Sequence, residues 1–227
     1  MPELITRKVA FNQYLKLTAQ IADLQRSMFN ADPENFDSSE VFEAYAALYD
    51  AKDLEPHATD ARHQILTTEL TDLDTFSRAL SDRLKTLFES LKINGFVVMS
   101  DLDIPFVLYL ENSYAPLKSA IKRFQKITGD VDYKGAITGD LNDLQQIIDI
   151  FFWLGRCKAG PEYIFFSDTS EKLMFNICKY GNIHITSFFE ELITTELLNS
   201  SGFSIVHFGC TDNFRDDRVI LGRTIEL

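Results

Sequence analysis

Apolar residues in the first part of the chain recur at helical spacing. Phe11, Tyr14, Leu15, Leu17, Ile21, Leu24 and Met28 predict a helix over 9–29, and Asn30-Ala31-Asp32-Pro33 interrupts it. A second helix is predicted from an N-cap at Ser38 or Ser39 through Val41, Phe42, Tyr45, Leu48 and Tyr49, with Pro56 closing that region. A third helical stretch is predicted from about Thr59 to Lys92, broken near Thr71–Asp74. Its apolar set runs from Ile65 and Leu66 through Phe76, Leu80 and Leu84 to Phe88 and Leu91. Asn94-Gly95 stops it with a pair that tolerates left-handed backbone.

The period changes at Gly95. Phe96-Val97-Val98-Met99 is a short unbroken apolar run, the mark of a strand buried on both faces. Tyr163-Ile164-Phe165-Phe166 is a second, ending in Ser167-Asp168. Phe203-Ser204-Ile205-Val206-His207-Phe208 is a third, ending in Gly209-Cys210-Thr211-Asp212-Asn213. Helices are predicted within 106–127, over 140–155 and over 186–199, and a hairpin over 172–185 around Gly181-Asn182. Two Ile-Thr-Gly-Asp copies, at 127–130 and 137–140, read as a loop and a helix N-cap at Asp140. Strands alternating with helices predict a parallel sheet covered on both faces. The expectation is an all-helical cap-like segment over 1–92. A three-layer α/β/α, Rossmann-like core with a mainly parallel sheet should follow over 93–227. Ligands in such sheets bind at the carboxyl ends of the strands, where all three apolar runs reach Ser or Asp.

Composition narrows the function classes. The 227 residues carry a net charge of -12, with 19 Phe, 8 Tyr and one Trp, which excludes a disordered chain. Residues 1–113 hold 10 basic and 19 acidic side chains, and the stretch from Asp32 to Asp60 sets nine acids against Lys52 alone. That balance argues against a nucleic-acid backbone or an anionic membrane surface as partner. No run of apolar residues is long enough to span a membrane, and the first residues lack a secretory leader's apolar stretch. Cys157, Cys178 and Cys210 form no paired framework, so reduced thiols in a cytoplasmic setting are expected.

Several strings resemble motifs of the haloacid dehalogenase-like (HAD) superfamily, in the branch associated with glycosyltransferase regions. Leu91–Pro105, ending in Val98-Met99-Ser100-Asp101-Leu102-Asp103-Ile104-Pro105, resembles the second motif, with Asp103 where a Tyr is usual. Lys179-Tyr180-Gly181-Asn182 is similar to the third. Ile205–Asp217 is similar to the fourth, with Cys210 and Thr211 interrupting its Gly-Asp-Asn. Leu4-Ile5-Thr6-Arg7 resembles the family's stretch just past the first motif, but the nucleophile Asp-x-x-Asp-Thr itself is absent.

The resemblance implies phosphoryl transfer to an Asp with Mg²⁺ neutralising charge. Ser100 and Lys179 would then bind phosphate, with Lys172 as a rival for the lysine, and Asp212 and Asp217 would hold Mg²⁺, weakened by the missing Asp. Asp101-x-Asp103 follows a strand as a nucleophile pair would, but out of order with the cap. His207, Cys210 and His184 are the residues open to a Cys–His nucleophile or a zinc site, without the paired spacing of either. The expected function is a degenerate, non-catalytic phosphatase-like scaffold that binds a phosphorylated small molecule or a protein. The alternatives are an acidic, immunity-type module that binds a basic protein, and a Mg²⁺-dependent phosphohydrolase whose start lies further upstream. The family's central first strand would have to be supplied by residues 4–10 or bypassed by its neighbours, because an empty position leaves buried backbone groups unpaired.

Overall fold

A computed structural model describes residues 2–55, 61–110, 113–189, 192–207 and 213–214. Among these residues eight strands form one sheet: β1 (Glu3–Ile5), β2 (Arg62–Thr67), β3 (Gly95–Ser100), β4 (Ala136–Asp140), β5 (Ile164–Asp168), β6 (Leu173–Ile177), β7 (Ile183–Ser187) and β8 (Ser204–Val206). Their order is β1-β4-β3-β5-β6-β7-β2-β8, and every neighbouring pair is antiparallel.

The mainly parallel Rossmann-like sheet is therefore not what the chain forms. The helices do return the chain as crossovers. α4 (Leu73–Ser90) carries it from β2 to β3, and α6 (Leu144–Arg156) from β4 to β5. Alternation across the sheet makes β2 parallel to β3, and β4 parallel to β5, as such connections require. In each case other strands occupy the space between. β3 lies between β4 and β5, and β5, β6 and β7 lie between β3 and β2. The all-helical reading of the front segment is overturned as well, since β1 and β2 come from it and pair with β4 and β7. β1 sits at the sheet edge, and β4, β3 and β5 are continuous, so no central position is empty.

Both faces are covered. α4, α5 (Ala115–Thr128) and α6 lie on one face, where Phe76, Leu80, Leu84, Phe124, Ile147 and Phe151 pack on Phe96, Val98, Ile137, Phe166 and Phe175. The short α7 (Thr195–Ser200) adds Leu198 to this layer. α1 (Arg7–Gln13) and α2 (Leu15–Met28) lie on the other face, where Ala10, Leu17, Ile21 and Ala22 meet Val97, Met99, Ala136, Phe165 and Met174. A strand so covered shows no alternation, and all six residues of β3 are buried. α3 (Ser39–Ala47) is attached beyond α2 and has no fully buried residue. No helix among the described residues is long and apolar enough to cross a membrane.

Capping is local for most helices. Ser38 Oγ accepts from Val41 N at the start of α3, and Asp72 Oδ1 accepts from Asp74 N at the start of α4. α2 is capped from afar. Tyr14 offers no side-chain cap, and instead Glu171, in the β5–β6 turn, accepts from Lys16 N at 2.6 Å and Leu17 N at 3.0 Å. A carboxylate there satisfies two orphan donors and meets the positive end of the helix dipole. Replacing Glu171 with Ala is expected to lower stability by about 1–2 kcal/mol in urea denaturation. The exposed Glu89→Ala control should shift it by less than about 0.5 kcal/mol.

Candidate functional site

The strand ends expected to share an anion pocket are separated. Phe96 pairs with Asp168 and Ser100 with Ile164, so Ser100 and Asp168 stand at opposite ends of the sheet. Each is used locally. Asp168 accepts from Lys172 N (2.6 Å), Leu173 N (2.8 Å), Ser170 N (2.9 Å) and Ser170 Oγ (2.6 Å), which builds the β5–β6 turn. Ser167 Oγ donates to Leu173 O at 3.1 Å within the same turn.

Ser100 is fully buried. Its hydroxyl donates to Leu102 O at 2.7 Å and accepts from Arg7 Nη1 at 3.1 Å. Lys179 is exposed in the β6–β7 turn, with its ammonium 5.0 Å from the Tyr180 ring centroid and its carbonyl accepting from Arg156. It lines a cleft to which Ser100 does not contribute. Lys172 donates to Leu91 O at 2.7 Å. Asp212, Asp217 and Cys210 lie outside the described residues. Among the described residues no three His, Cys, Asp or Glu side chains gather to hold a metal ion.

Around Ser100 the structure builds a polar network that sequence reasoning missed. Arg7 grips Asp50 through Nε (2.7 Å) and Nη2 (3.0 Å), and donates to Ser100 O at 3.0 Å. Gln25 donates to Asp50 Oδ1 (3.1 Å) and Asp101 O (2.6 Å), and accepts from Ala51 N (2.7 Å). α1, α2, the segment after α3 and the end of β3 are joined at this point. Asp101 is 1% exposed, and its Oδ1 has no hydrogen-bond partner. Burial pushes its carboxyl up to about 6, against the pull of its own and Leu102's backbone N–H groups and the Arg7 charge, with Glu162 adding to the rise.

Two surfaces away from that network combine apolar and polar groups. The first is a groove of about 810 Å³ between α2 and the β5-β6-β7-β2-β8 half of the sheet. Leu24, Ile65, Phe165 and Met174 give it apolar walls, and His63, His184, Asn176, Thr186 and Asp23 give it polar groups. His63 Nδ1 lies 2.8 Å from Thr186 Oγ1. His207 lines the same groove, so two of the three residues considered for a Cys–His or zinc site meet here.

The second is the layer from α2's end through α3. Phe29 stacks on Tyr45 at 5.4 Å and meets Tyr49 edge-on at 5.2 Å, and Phe36 packs on Tyr45 at 4.8 Å and Phe42 at 5.2 Å. Of these rings only Tyr49 is fully buried. Asp32, Glu34, Asp37, Glu40, Glu43, Asp53 and Glu55 are exposed over the same residues. Two cations join them: Lys52 pairs with Asp53 at 2.7 Å and lies 5.1 Å from the Phe29 ring centroid, and Arg26 in the last turn of α2 donates to Lys52 O and Leu54 O. The acid-rich composition made this patch legible, while its aromatic underside needed the fold.

No protein-family model, no curated protein and no solved structure matches the chain.

The raised Asp101 carboxyl makes a pH test. Between its ordinary value of 3.8 and about 6 the native state binds a proton that the unfolded chain does not, so this group's contribution falls as pH rises through that window. Asp101→Asn is expected to gain stability over wild type across pH 4–6, reaching about 3 kcal/mol at pH 7. Urea midpoints at stepped pH measure it; a difference between the two proteins that stays flat with pH would refute the assignment.

Proposed function

We propose that this chain is an acidic protein-binding module that engages a basic partner through the α3 layer. One observation supports it above others: residues 29–55 bring seven exposed carboxylates together with the half-exposed rings of Phe29, Phe36, Phe42 and Tyr45, and α3, which carries two of those rings, has no fully buried residue of its own. Aromatic anchors with a charged rim are the usual anatomy of an interface, and carboxylates of one sign speed encounter with a cationic partner. Val41, 49% exposed on α3, gives an apolar contact within that rim. A phosphorylated ligand held by Ser100 and Lys179 draws less support, since the Ser100 hydroxyl is buried and engaged at both lone pair and proton.

The test compares wild type with Glu40→Lys/Glu43→Lys and with Val41→Asp as immobilised baits in a cell extract. Wild type should retain a protein of net positive charge that is lost about tenfold or more from the charge-reversed bait and on raising salt several-fold. Val41→Asp should lose it too, although it is the more acidic bait, because the apolar anchor is gone. Equal recovery on all three baits would overturn the assignment to α3.

A further inference from the structure

The β6–β7 hairpin holds a chemical feature that the α3 patch does not use. Asn176 on β6 stands opposite His184 on β7, and Cys178 lies two residues beyond Asn176, so Cys178 and His184 project from the same face as diagonal neighbours. His184 and the backbone N–H groups of Tyr180 and Asn182 favour the charged form of the thiol, and the turn is closed by Cys178 N donating to Asn182 O and Gly181 N donating to Cys178 O, each at 2.9 Å. Asn182 Nδ2 lies 3.8 Å from the sulfur. Cys178 is half-buried and faces a cleft of about 480 Å³, lined also by Lys158, Glu162, Lys179 and Tyr180.

We propose that Cys178 is a nucleophilic thiol, activated by His184, that takes small anionic disulfides in this cleft. Two lysines there outnumber the single carboxylate of Glu162, so a disulfide bearing carboxylates meets a favourable field. In the reaction the Cys178 thiolate attacks one sulfur of the incoming disulfide. That S–S bond breaks as a new one forms to Cys178; a departing alkyl thiolate takes the proton held on His184, whereas a weakly basic aryl thiolate leaves as such and the proton passes to solvent. No other oxidant or reductant is needed.

The energetics agree with the geometry. Burial pushes the Cys178 thiol up, but the His184 hydrogen bond, the two backbone N–H groups and the charge of His184 outweigh it, and the net direction is down. Cys157 is an internal contrast. It is buried at the end of α6, and burial pushes its thiol up to about 11 against the nearby Arg156. One thiol is set for reaction and the other is inert.

The probe is dithiobis(nitrobenzoate), a dianionic aryl disulfide, used on the folded Cys210→Ser chain with glutathione run alongside. Thionitrobenzoate release is followed from pH 6 to 9.5, and the modified cysteine is mapped by mass spectrometry. One rapid equivalent should map to Cys178, roughly fivefold faster than glutathione at pH 6.5 and levelling off at a lower pH than glutathione does. His184→Gln should slow it several-fold at pH 6.5 and little at pH 9.5. Labelling of Cys178 no faster than glutathione at pH 6.5, or a rate still climbing in parallel with glutathione, would overturn the proposal. If His184→Gln fails to fold by circular dichroism, the pH profile of the unaltered hairpin decides the matter alone.

Discussion

β3 hydrogen-bonds to antiparallel neighbours on both sides, and the rest of the architecture is arranged around that pairing. All six of its residues are buried, so its backbone groups have no water to turn to and must be matched by β4 and β5. Each buried group left unmatched would cost about 1–3 kcal/mol, comparable in sum to the stability of a whole domain. Once β3 lies between β4 and β5 and opposed to both, the strands joined by α6 are parallel without touching. The ends of successive core strands then alternate between the two ends of the sheet. Ser100 and Asp168 are kept apart by this rule and not by any local accident.

The second helical layer is fastened to that sheet at both ends. At one end Glu171 caps α2, and at the other Arg7 and Gln25, both held by Asp50, donate to the Ser100 and Asp101 carbonyls where β3 ends. All these contacts are long-range in sequence, so the layer is ordered only when the sheet is formed. The Arg7–Asp50 pair is close and bidentate, with Arg7 only 6% exposed, and losing Asp50 would leave the Arg7 charge buried without its partner. Asp101 beside it carries an unmet oxygen, a local cost held in place by the surrounding network.

Much of this was legible from residues alone. Helical spacing located α2, α4, α5 and α6, and the apolar runs located β3, β5 and β8. Gly181-Asn182 marked the β6–β7 hairpin. β2 was hidden because its only apolar pair, Ile65-Leu66, fits a helical stripe leading into Leu70 and Leu73 as well as it fits a strand. β4 was hidden because Thr138-Gly139-Asp140 reads as a turn. Gly139 is there for packing instead, since a Cβ would lie 2.8 Å from the Phe96 ring. The direction of pairing was not legible at all. A run buried on both faces signals two covering layers, and helices can cover an antiparallel sheet as they do a parallel one. The acidic half of the α3 patch was visible as composition. The Cys178–His184 pairing was not, because it depends on hairpin register and not on spacing along the chain.

Function on this scaffold is therefore sought on its open surfaces, with the strand ends occupied by their own turns and networks. That view stands or falls with the direction of β3 against β5. Hα–Hα nuclear Overhauser contacts on isotope-labelled protein report it directly, since such contacts are close only across antiparallel pairs. Strong contacts should recur at alternate positions along Phe96–Asp168, Val97–Ser167, Val98–Phe166 and Met99–Phe165. Their absence, with contacts instead placing Ser100 beside Asp168, would contradict the account.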